Sequence, residues 1–95
     1  MFRYTKSSLK KLELLLEEVG YIIRYEKGNF QSGYCIVRDK KVVIVNKFFD
    51  TDARINSLLE VVNEVEIMEA ILSERSAKFY KLVKQKEEED DEESK

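Results

Sequence analysis

Between Thr5 and Gly20 the apolar residues fall at Leu9, Leu12, Leu15, Leu16 and Val19. Spacings of three and four put them on one stripe of a helix. Thr5, Ser7 and Ser8 offer oxygens to cap its start, and Gly20 stands where a helix end needs a residue that tolerates positive φ. Lys10, Lys11, Glu13, Glu17 and Glu18 occupy the opposite side, with Leu14 the one apolar residue out of place.

The period then changes. Tyr21–Tyr25 is aromatic and β-branched, Lys27-Gly28-Asn29 signals a turn, and Gly33–Arg38 forms a second extended run. Asp39-Lys40 is a tight turn before a third run, Lys41–Asn46. Short connections predict an antiparallel meander, since a parallel return needs a crossover of about a dozen residues. Within the third run Val42-Val43-Ile44-Val45 is apolar on both faces. A meander would leave that strand at an edge, so the pattern predicts cover from the C-terminal helix or from another chain.

After Phe48-Phe49, Asp50 and Thr51 can cap a second helix, whose stripe is Ile55, Leu58, Leu59, Val62 and Val65. Ile67, Met68, Ile71 and Leu72 continue on a shifted face. Ser73 can cap a further helix carrying Ala77, Phe79, Tyr80 and Val83, although no glycine or proline separates it from one bent helix. The expected fold class is α+β: helix, three-stranded antiparallel meander, then one or two C-terminal helices packed on one face of the sheet in two layers.

A chain of 95 residues, 43% of them hydrophobic, suits one small domain with a core of its own. The longest uninterrupted apolar run is Val42–Val45, far below the ~18 residues of a membrane span. No charged–apolar–small leader pattern opens the sequence, so neither a membrane location nor secretion is expected. The net charge of −2 hides an asymmetry. Residues 85–95 carry two lysines against seven consecutive acidic residues, leaving residues 1–84 with 15 basic and 12 acidic groups, a body of +3. The domain is therefore placed at 1–84. The acidic segment 85–95 reads as a disordered tail or a fraying helix end that either solubilises the chain or competes for a basic surface.

The chain contains no histidine, which removes Ser-His, Cys-His and His-metal chemistry together. Cys35 stands alone, so a thiolate zinc site cannot be assembled. Lying in an apolar run without a basic neighbour, it reads as a packed, inert thiol suited to a reducing, cytoplasmic compartment. Asp50-Thr51-Asp52 begins a calcium-loop pattern and abandons it. Gly28 and Gly33 do not lead from a strand into a helix as a phosphate cradle requires. Glu60 and Glu64, one turn apart, read as a polar helix face, and a residual enzyme would need one of them to face a cleft. No cofactor, metal or catalytic residue is expected, and the chain reads as non-enzymatic.

The basic residues Arg38, Lys40, Lys41, Lys47 and Arg54 gather around the second hairpin, with Phe48 and Phe49 between them. Such a set can hold a phosphate backbone and stack bases, but +3 is a weak field for nucleic acid, which stays the alternative. The expected role is a small accessory protein that associates with itself or with a protein partner. The surface expected to carry it comprises the basic residues just named together with Phe79 and Tyr80 of the last helix, the two-faced apolar third strand, and any open sheet edge.

Two resemblances accompany this reading. The stretch Gly33-Tyr34-Cys35-Ile36-Val37, then Val43–Asn46, then Arg54–Asn63 resembles the core of IrrE/ImmA-type metallopeptidases, in which a strand ending in Asn precedes a helix bearing His-Glu-x-x-His. The Glu of that motif falls on Glu60, while its histidines fall on Leu59 and Asn63. The resemblance thus implies the strand–helix arrangement without a metal or peptidase chemistry. The phrases KGNFQSGYC and VNKFFDTDARIN are similar to those of a family of short uncharacterised bacterial proteins, a likeness that implies no activity.

Overall fold

The computed structural model describes residues 2–28, 30 and 33–93, with side chains through Glu89. Asn29 of the expected turn, and Ser94 and Lys95 of the acidic segment, lie outside the described residues. The order is α1 (Lys6–Glu18), β1 (Ile22–Glu26), β2 (Tyr34–Val37), β3 (Val42–Asn46), α2 (Thr51–Glu64), a 3₁₀ turn (Glu69–Ile71) and α3 (Glu74–Glu93). The fold is α+β.

The helix starts follow their caps. The Thr5 hydroxyl accepts the Ser8 N–H at 3.1 Å, and the Asp50 carboxylate accepts the Ala53 N–H at 2.9 Å. Each satisfies a donor that a helix leaves open in its first turn. The chain after Val65 is not one bent helix. Ser73 begins α3 by accepting the Ser76 N–H at 3.3 Å on its hydroxyl and the Ala77 N–H at 2.8 Å on its carbonyl. Continuing through Glu93, α3 keeps the acidic run Glu87–Glu93 in helical backbone, so no break in structure occurs at residue 84.

The sheet is mixed, and this corrects the expected antiparallel meander. Its order is β1-β3-β2, with β3 antiparallel to β2 (Tyr34 opposite Val45) and parallel to β1 (Ile22 opposite Val42). The crossover that a parallel pair demands is supplied by β2 itself: residues 27–41 include a full strand as well as two connections. The central position removes the open edge that a meander would have left at Val42–Val45, and the helices cover one of the strand's two apolar faces.

Gly33 ends the first connection with φ +85°. Its N–H donates to the Phe30 carbonyl at 3.1 Å, and its own carbonyl accepts from Asn46 N–H at 2.9 Å. A Cβ here would overlap the Phe49 ring, so both backbone conformation and packing require glycine.

Alternation then sorts the two sheet faces. Val43 and Val45 are fully buried and, with Ile23, Tyr25, Tyr34 and Ile36, pack against the helices. Leu12, Leu15 and Leu16 of α1 and Ile55, Leu58, Val61 and Val62 of α2 complete this core, while α3 adds Phe79, Tyr80 and Val83 and packs on α1. Phe79 and Tyr80 are 6% and 8% exposed, so the aromatic pair expected on an interaction surface lies inside the chain's own core. The reason is their spacing from Val83: lying four and three residues before it, they share its buried face of α3.

Candidate interaction surface

The other face of the sheet follows from the same alternation. Ile22, Arg24 and Glu26 of β1, Val42, Ile44 and Asn46 of β3, and Cys35 and Val37 of β2 point away from the helices. Ile22 is 58% exposed, and Val42, Ile44 and Val37 are half-buried. The charged pair on this face is Arg24 Nε with Glu26 Oε2 at 2.9 Å, opposite signs on one strand. Cys35, expected to be packed, is exposed here because Tyr34 and Ile36 take the inward positions of β2.

The five basic residues grouped by sequence are not grouped in space. Lys40 and Lys41 sit in the turn before β3, where Lys41 takes φ 53° and places Nζ 5.9 Å from the Tyr21 ring centre. Lys47 and Arg54 lie at the far end of β3, and at ~3.3 Å per residue Lys41 and Lys47 are separated by roughly 20 Å of strand. Arg38 stands 3.7 Å from Glu64, an exposed pair. Arg54 is engaged inside the fold. Its Nε donates to the Phe49 carbonyl at 3.0 Å, its terminal nitrogen donates to the Lys47 carbonyl at 2.8 Å, and its guanidinium stacks 4.3 Å over the Tyr25 ring. Lys47 lies over the 70%-exposed Phe48.

Two tyrosines are held by carboxylates. The Tyr25 hydroxyl donates to Glu13, and its pKa is pushed up first by burial and then by that carboxylate, with Arg54 opposing. The Tyr34 hydroxyl donates to Glu64 at 2.7 Å, and burial followed by Glu64 and Glu60 raises it likewise. Both phenols therefore stay protonated as hydrogen-bond donors that tie the sheet to α1 and α2.

Glu60 is exposed and lines an open depression of about 360 Å³ between α2 and α3, beside Asn56 and Asn63. Leu59, the other residue at a metallopeptidase histidine position, is 8% exposed and part of the core. Among the described residues no group of His, Cys, Asp or Glu is placed to hold a metal ion, and no helix is long and apolar enough to cross a membrane.

Sequence reasoning passed over a groove between α1 and α3, of about 450 Å³, around the 47%-exposed Leu14. The signal was present: Leu14 is the apolar residue on the polar side of α1. Comparison with known proteins adds nothing to these surfaces, because no family model, no curated protein and no solved structure matches the chain.

Proposed function

We propose that this chain is a small non-catalytic interaction protein of the cytoplasm that pairs with a second copy of itself through the open face of its sheet. The observation carrying this reading is β3: a central strand with apolar residues on both faces, for which the chain supplies helical cover on one side only. Val42 and Ile44, flanked by Ile22, Cys35 and Val37, form the centre of the uncovered face. Arg24 and Glu26 give it a self-complementary charge pattern, since a two-fold axis brings the Arg24 of one copy to the Glu26 of the other.

The size of the face sets the strength. Three strands about 4.8 Å apart and four or five residues long span roughly 14 × 16 Å, well below the ~800 Å² per partner of a standard interface. The association is accordingly weak and concentration-dependent. Sedimentation equilibrium across a concentration series tests it, with Ile44→Lys and the more exposed Ile22→Lys as variants. The expected result is a reversible dimer for the natural sequence and a monomer for both variants at unchanged circular dichroism. A chain that stays monomeric at millimolar concentration, or variants that dimerise equally well, overturns the reading.

A further inference from the structure

The groove between α1 and α3 has an apolar floor made by Leu14, Leu82 and the edge of Phe79. The charged side chains lining it are all cations: Lys11 on one wall, Arg75 and Lys78 on the other. A shallower depression continues along α1 past Leu14 between Lys10 and Lys6. In a chain of net charge −2 this is a local concentration of positive charge around an exposed leucine.

Two nearby anions, Glu74 and Glu18, lie outside this lining. Glu74 meets Lys78 at 3.9 Å with both side chains almost fully in water, a separation and exposure at which an ion pair is worth little. Glu18, at the end of the groove, is already engaged. One oxygen accepts the Ser73 N–H at 2.7 Å, and the other accepts the Ser73 and Ser76 hydroxyls at 3.0 and 2.9 Å. Lys11 Nζ lies 5.8 Å from the Phe79 ring centre, so its ammonium stands over the apolar lining of the groove.

We infer that this groove binds an acidic amphipathic helix from a partner protein, with an apolar side chain of the partner on Leu14 and Leu82 and carboxylates on both sides meeting Lys11, Arg75 and Lys78. Charge complementarity selects the partner, and the apolar floor requires it to bring an anchor. The chain's own acidic run, Glu87–Glu93, contains no apolar residue, so it matches the rim and leaves the floor empty. That acidic run is therefore not the occupant, and the inference does not rest on the sheet-face dimer.

Fluorescence anisotropy of the full chain with synthetic helical peptides tests the proposal. The probes are labelled 16-residue Glu/Ala peptides carrying two leucines spaced three, four or seven apart, each with a leucine-to-serine control and a glutamate-to-glutamine control. The expected result is saturable binding by at least one leucine-bearing acidic peptide, weakened several-fold in each of its controls. Leu14→Ser and the double change Arg75→Glu with Lys78→Glu should each weaken it by about fivefold to tenfold while leaving circular dichroism unchanged. Absence of binding by every peptide below 1 mM overturns the proposal, as does equal binding by the leucine-free control. Phosphatidylglycerol vesicles or a single-stranded oligonucleotide bound more tightly, and lost in the same variants, would reassign the groove to a membrane surface or to nucleic acid.

Discussion

Arg54 ties three parts of the fold together. It sits in the first turns of α2, yet its guanidinium fork holds the carbonyls of Lys47 and Phe49, which leave β3, and its plane covers Tyr25 on β1. Replacing it with alanine removes two hydrogen bonds from a charged donor and one stacked contact. A bond of this kind contributes about 1 kcal/mol net where water can partly replace it, and a half-exposed cation–π contact adds about 0.5–1. Arg54→Ala should therefore destabilise the protein by about 2–3 kcal/mol. For a domain of this size that lowers Tm by roughly 10–20 °C. Arg54→Lys keeps the charge and loses the planar fork, so it should recover less than half of the difference. Urea unfolding followed by far-ultraviolet circular dichroism measures both, provided the m value is unchanged. A loss below about 0.5 kcal/mol for Arg54→Ala, or a lysine as good as the arginine, would refute the clamp and return Arg54 to the pool of free surface cations from which phosphate contacts could be drawn.

Phe79→Ala should cost about 3–5 kcal/mol by the same urea assay, since the ring is core; a near-neutral change would restore it to the outer surface. Glu18 supplies a pH dependence: partial burial raises its carboxyl, but the bonds from Ser73 and Ser76 outweigh this and leave it below the ordinary value in the folded chain. A depressed folded-state pKa means that this contribution is complete above the unfolded Glu range of ~4.3 and is lost as pH falls through the folded value. Stability measured from pH 6 to 3 should accordingly fall less steeply in Glu18→Gln than in the natural sequence, and parallel curves would contradict a stabilising role for its bonds to Ser73 and Ser76. Tyr25 and Tyr34 have raised values, so their contribution is complete below the unfolded value near 10 and is lost as pH rises towards the folded one. Titration at 295 nm should show these two ionising only with unfolding, and full ionisation of all tyrosines in the folded chain near pH 10 would exclude it.

The elements were legible because periodicity reports directly on which side of a helix or strand is dry. Thr5, Gly20, Asp50 and Ser73 then mark ends by local chemistry that does not depend on the rest of the fold. The neighbour relations of the strands were not legible, because the same three patterns suit a meander or an order in which the last strand inserts between the first two. Val42–Val45 held the missing information: apolar on both faces, it belonged at the centre. The basic residues misled for a geometric reason, since a strand carries residues that are close in sequence steadily apart. Cys35 misled because an apolar run on a two-layer edge strand has one face towards the core and one towards water.

The sheet face and the α1–α3 groove both expose apolar side chains, and their charges separate them. The sheet face is balanced, so a second copy meets no net repulsion there. The α1–α3 groove would bring cation against cation if two copies met there face to face, so the two proposed sites favour different occupants. Ionic strength distinguishes the two events without any substitution. Salt screens the exposed rim of Lys11, Arg75 and Lys78 over a Debye length of about 8–10 Å and should release an acidic helix. The same salt leaves contact between apolar strands in place and, with sulfate as the anion, strengthens it. Added sodium chloride should therefore weaken an acidic helix in the groove more than contact between two sheet faces.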